Sequence, residues 1–162
     1  KGGLILVKDS YPPNLIKLSI SDFYISIIHP KIEINTKYAR EILPEKINLS
    51  DAVKQWGNIS GLTAGFITND IELIKNSMHD YIIDPLRSKL IVGYDQIKES
   101  AINNGAIGCS ISGSGPSIFS LCENNEIANQ VLTSMTKVLD DLKIDYHSYI
   151  SKINHNGISV IN

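Results

Sequence analysis

Apolar residues along the chain fall into short runs, several of them rich in β-branched and aromatic side chains. Such runs predict β-strands, and the clearest is FYISIIHP, which ends at a proline. The same pattern, bounded by glycine, proline and asparagine, recurs from one end of the chain to the other. The predicted strands are Gly2–Asp9, Pro12–Ile20, Phe23–Pro30, Ala106–Ser112, Pro116–Cys122, Ile144–Ser151 and Gly157–Ile161.

Between these runs, apolar residues recur at the spacing of one helix face. Asn35 or Thr36 is expected to cap the first helix and Ser50 the second, because short polar side chains satisfy the free amides of a first turn. Pro85 is expected to interrupt the stretch 79–93, which we leave unassigned. The predicted helices are Asn35–Leu43, Asn48–Ile67, Asn69–Met78, Tyr94–Gly105 and Asn124–Leu142.

From Phe23 onward the predicted order is strand, helices, strand, strand, helix, strand. This is the β-α-β-β-α-β order of a split βαβ unit with extra helices in its first crossover. We therefore predict an α+β fold with a ferredoxin-like sheet, in a single domain.

Composition excludes several classes of function. The 162 residues are 43% hydrophobic and 20% charged with a net charge of -2, so no basic surface for nucleic acid is expected. No apolar run reaches the roughly 20 residues of a membrane span, and no membrane partner is expected. Two cysteines make a poor disulfide framework, which favours a reducing compartment and a cytoplasmic location.

The stretch GCSISGSGPSIFSL carries the most distinctive local chemistry. The residues from Ser112 to Gly115 combine glycines, which allow positive φ and close approach of a ligand, with serine hydroxyl donors. Successive amides in such a turn can bind an anion such as phosphate. The same residues are equally typical of a plain β-turn between two strands. Both interpretations remain open on the residues alone.

Two arginines are candidate anion ligands. Thr36 and Arg40 lie four residues apart on a predicted helix, so they share one face, and Arg87 follows IIDP. A guanidinium donates two parallel hydrogen bonds to a carboxylate or phosphate, so two of them could hold one carboxylate. The alternative is that each is a surface arginine, paired with Glu41 or Asp84.

The segment HDYIIDP offers His79, Asp80 and Asp84 as a base or a metal site. No second histidine or cysteine follows at ligand spacing, so no metal site is predicted. We expect His79 and Asp80 to be structural polar residues at a helix end. The sequence identifies no catalytic base.

These segments in this order resemble the C-terminal half of the homoserine kinases, within the GHMP small-molecule kinase superfamily. The glycine stretch resembles the third motif of the superfamily. HPKIEINTKYAREILP and HDYIIDPLR resemble homoserine kinase segments, and YISKINHNGISVI resembles the C-terminal end of that family. The resemblance covers essentially the whole chain.

The resemblance implies transfer of the γ-phosphate of ATP to the side-chain hydroxyl of L-homoserine, with Mg²⁺, on the route to threonine. Arg40 and Arg87 would bind the α-carboxylate of homoserine, and Thr36 would lie beside the substrate. Ser112, Gly113, Ser114 and Gly115 would close over the phosphate region. These parts suit phosphoryl transfer, which depends mostly on positioning and charge stabilisation.

The chain departs from the family in one respect: no PxxxGLGSS-like phosphate loop occurs in it. We therefore expect residues 1–162 to be the C-terminal domain, with residues 1–20 ending the connection from an ATP-binding half that holds most of the ATP and Mg²⁺ contacts. The domain alone is expected to be inactive, and a homodimer is possible for the family. Alternatives are another GHMP small-molecule kinase and a non-catalytic module that binds an amino acid.

Overall fold

A computed structural model describes residues 2–35 and 37–160. The N-terminal segment forms a separate two-stranded sheet, in which β1 (Leu4–Ser10) pairs antiparallel with β2 (Pro13–Leu18). The amide of Gly3 donates a hydrogen bond of 2.7 Å to the carbonyl of Asn154, which ties this hairpin to the C-terminal segment.

The main sheet contains β3 (Tyr24–Pro30), β4 (Gly108–Ile111), β5 (Ile118–Cys122) and β6 (Tyr146–Lys152). Its strand order is β4-β5-β3-β6, and every neighbouring pair is antiparallel. This order confirms the predicted split βαβ arrangement, in which the first strand is central and its partners come from the far end of the chain.

Six α-helices accompany the sheets in the described residues. They are α1 (Tyr38–Glu41), α2 (Leu49–Thr68), α3 (Ile71–Ser77), α4 (Asp84–Arg87), α5 (Tyr94–Asn103) and α6 (Asn125–Asp141). A 3₁₀ turn at Ser88–Leu90 follows α4 directly. Two helix starts have side-chain caps: Asp70 accepts from the amide of Leu73, and Asn124 accepts from the amide of Ile127. Among the described residues, no helix has the length and apolar character needed to cross a bilayer.

Helices α5 and α6 cover one face of the main sheet with the larger apolar core. Ile28, Ile97, Ile118 and Met135 are fully buried there. A second cluster, which includes Phe23 of the segment before β3, packs on the opposite face under α2 and α3. These two layers hold the sheet rigidly, so the loops at its ends have fixed starting points.

Three local predictions are wrong. The first helix spans Tyr38–Glu41 and is shorter than the predicted Asn35–Leu43, although the side chain of Asn35 accepts from the amides of residues 37 and 38 as expected of a capping residue. Ser50 lies inside α2, which begins after Asn48 without a side-chain cap. Pro85 does not interrupt a helix but lies in the first turn of α4, where its missing amide costs nothing.

The predicted last strand, Gly157–Ile161, is absent from the part of it that the structure describes, residues 157–160. Ile158 and Val160 are exposed there. With no neighbouring strand, an isolated extended segment has no ladder to join, so its β-branched residues do not form a strand.

Candidate functional site: a glycine loop held by two side chains

The glycine loop, residues 112–117, joins β4 to β5 as a hairpin connection. Ile111 and Ile118 pair at its base, and the amide of Ser112 donates a hydrogen bond of 2.8 Å to the carbonyl of Ser117. Within the loop, the amide of Gly115 donates to the carbonyl of Ser112 over 3.1 Å. The turn interpretation is therefore confirmed, whereas phosphate binding stays a prediction.

Left-handed backbone explains why the loop needs glycine. Gly113 has φ of 62° and Gly115 has φ of 81°. The amides of Gly113 and Ser114 donate to no acceptor in the described part of the chain. Adjacent unpaired amides in a turn form a concave donor surface of the kind that binds anions.

Arg87, at the end of α4, reaches this loop. Its Nη1 atom donates a hydrogen bond of 2.9 Å to the carbonyl oxygen of Gly113. Its Nε atom donates to the carbonyl oxygen of Ala39 in α1 over 3.4 Å. The half-buried guanidinium thus joins two segments that lie far apart in the sequence, the glycine loop and helix α1.

Arg40 lies next to the carbonyl that Arg87 contacts. Its guanidinium is exposed on α1 and makes no hydrogen bond or ion pair within the described residues. Glu41 lies 3.8 Å from Lys37, and Asp84 is occupied elsewhere, so neither carboxylate pairs with either arginine. Thr36, the third predicted substrate ligand, lies outside the described residues.

Asp84 anchors the first turn of α4. Its carboxylate is 7% exposed and accepts hydrogen bonds from Tyr94 Oη at 2.6 Å and from Lys98 Nζ at 2.9 Å. Ser110 Oγ lies 3.5 Å from the other carboxylate oxygen. Burial and the hydrogen bond with Asp84 raise the pKa of Tyr94, which stays a neutral donor. The cluster fixes α4 against α5 and β4, and so fixes the backbone that carries Arg87.

No sequence pattern singles out His29, which the structure brings to the loop. His29 Nδ1 and Ser117 Oγ are joined by a hydrogen bond of 2.8 Å. The His29 ring also lies against the ring of His147 on β6, with centroids 6.5 Å apart and planes at 17°. A signal existed only in hindsight: His29 follows Ile28, which pairs with Ile118, the residue after Ser117.

The HDYIIDP segment does not form a catalytic cluster. Asp80 accepts from the amides of Ile82 and Ile83, and the ring of His79 contacts Tyr81 edge-on. Asp84 points to a different cluster. In residues 2–35 and 37–160, no three histidine, cysteine, aspartate or glutamate side chains are arranged to hold a metal ion.

Comparisons with known proteins agree on one family. Residues 62–141 match the family described as GHMP kinases C terminal. A homoserine kinase of Chlorobium phaeobacteroides (strain BS1) is 41% identical over 163 residues, and one of Chlorobium phaeovibrioides (strain DSM 265 / 1930) is 38% identical over 165 residues. Each alignment covers 99% of this chain and 51% of the relative.

A solved structure gives the same result. The crystal structure of homoserine kinase from Cytophaga hutchinsonii ATCC 33406 is 48% identical and superposes with a TM-score of 0.92. The match covers 94% of this chain and 49% of that protein. The chain thus spans about half the length of the curated relatives and of the solved structure that it matches.

Proposed function

This chain carries a GHMP kinase C-terminal domain, and from that premise we propose that it forms the C-terminal part of an ATP:L-homoserine phosphotransferase. The reaction moves the γ-phosphate of ATP to the side-chain hydroxyl of L-homoserine and yields O-phospho-L-homoserine. The relatives named homoserine kinase match the chain from end to end, which supports this substrate over others of the superfamily.

The observation that carries the proposal is the position of Arg87 between α1 and the glycine loop. Two of its N–H donors are used on main-chain carbonyls, and its remaining donors are open to a ligand. Arg40 directly follows Ala39, whose carbonyl Arg87 contacts, and its side chain has no partner in the described residues. Two guanidiniums brought to one site repel unless an anion lies between them, and an α-carboxylate accepts the paired hydrogen bonds that a guanidinium donates.

The glycine loop supplies the second part of the proposed site. Its unpaired amides at Gly113 and Ser114 would face a phosphate group and stabilise charge that develops during transfer. Because these amides are held in place before the ligand arrives, little reorganisation is needed when it binds. The hydrogen bond from the amide of Gly115 to the carbonyl of Ser112 closes the turn that carries these amides.

The described residues do not fit Mg²⁺, since no carboxylate cluster faces the loop or the arginines. We therefore assign no step to the metal on this chain and expect Mg²⁺ and most ATP contacts to lie in the other half of the full-length protein. The contribution of this domain is positioning: it binds the amino acid by its carboxylate and orients the hydroxyl toward the phosphate.

The experiment is a substrate screen on the full gene product that contains this chain. Homoserine-dependent release of ADP is expected, with no release for 2-aminobutyrate, which has the same carboxylate and amine but lacks the hydroxyl. Turnover of mevalonate in place of homoserine would show a different kinase of the superfamily. No turnover of any hydroxylated substrate, together with tight binding of threonine by calorimetry, would show a regulatory module and overturn the proposal.

A further inference from the structure

We propose that His29 is a positioning residue that holds the exit of the glycine loop through Ser117 and so sets the affinity of the site for nucleotide. The inference rests on the proposed function, because it assigns the loop to the phosphate side of the reaction. His29 itself touches neither reacting atom in this assignment.

The first step is the place of Ser117 in the loop. Its carbonyl accepts the amide of Ser112, so it closes the loop at the end that enters β5. Apart from this bond, the only internal backbone bond of the loop is from Gly115 to Ser112. A loop with so few internal bonds depends on outside contacts for a single conformation.

Two side chains provide those contacts. Arg87 holds the middle of the loop at the carbonyl of Gly113, and His29 holds the exit at the hydroxyl of Ser117. One contact comes from helix α4 and the other from strand β3, so two separate elements hold the loop. Because Arg87 is also assigned to the amino-acid carboxylate, His29 is the hydrogen-bonding side chain that serves the loop alone.

The second step is the rigidity of His29. Ile28 of β3 is fully buried and pairs with Ile118, and the buried Pro30 follows His29 directly. The imidazole ring is half-buried and lies against the ring of His147, which limits its rotation. A side chain on a central strand, with buried residues on both sides of it, holds its hydrogen-bond partner at a fixed position relative to the sheet.

The expected consequence is selective. Without the bond from His29, the exit of the loop samples more conformations, and the amides of Gly113 and Ser114 lose part of their preorganisation. The apparent affinity for ATP falls, whereas the carboxylate contacts of Arg40 and Arg87 do not involve His29. The KM for ATP rises and the KM for homoserine stays close to its original value.

The test compares His29→Phe, His29→Asn and Ser117→Ala in the full gene product. His29→Phe keeps the ring but removes the hydrogen bond, and loss of one such bond corresponds to about a 5- to 10-fold rise in the KM for ATP. His29→Asn restores a polar group near the position of Nδ1 and is expected to recover most of the affinity. Ser117→Ala removes the other partner, so the double variant with His29→Phe should show no further rise.

The matched control is His155→Phe, the same change at a histidine that contacts Asp22 before the opposite end of β3. It is expected to leave both KM values unchanged. Amide hydrogen exchange of residues 112–117 supplies a readout independent of turnover: exchange should rise in His29→Phe and not in His155→Phe.

The outcomes separate the two proposals. A wild-type protein without homoserine-dependent ADP release contradicts the proposed function, whatever the exchange data show. A wild-type protein that turns over, with His29→Phe showing an unchanged KM for ATP and unchanged loop exchange, overturns the role of His29 alone. A parallel rise in both KM values with a lower melting temperature would show a general structural role, which also contradicts the inference.

Discussion

The guanidinium of Arg87 donates a hydrogen bond of 2.9 Å to the main-chain carbonyl of Gly113. Arg87 is assigned to the amino-acid side of the proposed site, and Gly113 lies in the loop assigned to the phosphate side. The two halves of the site are therefore mechanically connected through one side chain. A substrate carboxylate that accepts hydrogen bonds from the remaining donors of Arg87 would bind the same guanidinium that contacts the loop.

This connection predicts that the two arginines have different effects when replaced by lysine. Arg40→Lys is expected to weaken the proposed bidentate contact with the carboxylate and to raise the KM for homoserine by about 10-fold or more, with little change in the KM for ATP. Arg87→Lys raises both, because a lysine ammonium cannot reach the carbonyls of Gly113 and Ala39 together. Steady-state kinetics of the full gene product with each substrate varied measures this difference. If Arg87→Lys left the KM for ATP unchanged, the connection would have no functional consequence.

The buried carboxylate of Asp84 predicts a loss of stability in Asp84→Asn. The amide keeps the shape of the side chain but leaves Lys98 without its counter-charge and Tyr94 with a weaker acceptor. Lys98 is partly exposed and can turn to water, so the expected loss in the free energy of unfolding is about 2 kcal/mol. Urea unfolding of both chains measures it.

The control for this prediction is Asp145→Asn, which breaks an exposed ion pair with Lys31 at 3.8 Å. The expected change is below about 0.5 kcal/mol, because water screens such pairs and ordering them costs entropy. Equal losses in the two variants would mean that the Asp84 cluster does not anchor α4.

The two loop glycines predict unequal costs for alanine. Both have positive φ, which alone costs a residue with a Cβ about 1–2 kcal/mol. A Cβ at Gly113 would meet nothing within 4 Å, whereas one at Gly115 would lie 3.1 Å from Ile91 Cδ1. Gly115→Ala should therefore lower the free energy of unfolding more than Gly113→Ala does.

A third variant at Gly113 tests the effect of backbone conformation separately. A Cβ there meets no neighbouring atom, so the positive φ is the only source of lost stability. Asparagine tolerates this conformation better than alanine, so Gly113→Asn should recover part of the loss. Thermal or urea unfolding of the three variants decides the point. Equal losses in the two alanine variants would show that a small shift of the Ile91 side chain relieves the crowding, and a larger loss in Gly113→Ala would contradict the prediction.

Sequence patterns predicted the sheet well, for a physical reason. The strand FYISIIHP is mostly apolar because β3 is central and covered on both faces, and the order of strands and helices along the chain is that of a split βαβ unit. The short helices were predicted less well. Helix α1 has only four residues, and α4 begins with a proline in its first turn; apolar periodicity shows neither feature.

The site was predictable only in part. Glycines and arginines are recognisable as residue types that bind anions, and their positions came from the resemblance. The contacts that join them use main-chain carbonyls of Gly113 and Ala39, which every residue possesses and no pattern marks. His29 lies far from Ser117 in sequence, and only the pairing of β3 with β5 brings them together.

Cys109 predicts that stability falls at alkaline pH. The thiol is 1% exposed, and burial raises its pKa to about 11, although a hydrogen bond with Ser120 opposes the shift. In the unfolded chain the thiol loses its proton above about pH 8.5, while in the folded chain it keeps the proton until about pH 11. Between these values the unfolded state binds fewer protons, so the free energy of unfolding decreases as pH rises, by at most about 1.4 kcal/mol per pH unit.

The variant Cys109→Ala isolates this contribution. The raised pKa of Tyr94 also adds a slope as the pH nears about 10, where an unfolded tyrosine begins to lose its proton, but this slope is common to both chains and cancels in the comparison. Urea unfolding in reductant between about pH 8.5 and 10 should therefore give a flatter pH dependence for Cys109→Ala than for the wild-type chain. The variant is less stable at neutral pH because it leaves a small cavity, so the comparison is made between slopes and not between absolute values. Identical slopes would mean that the folded chain exposes the thiol to water, and the close packing of β4 against α5 would then be wrong.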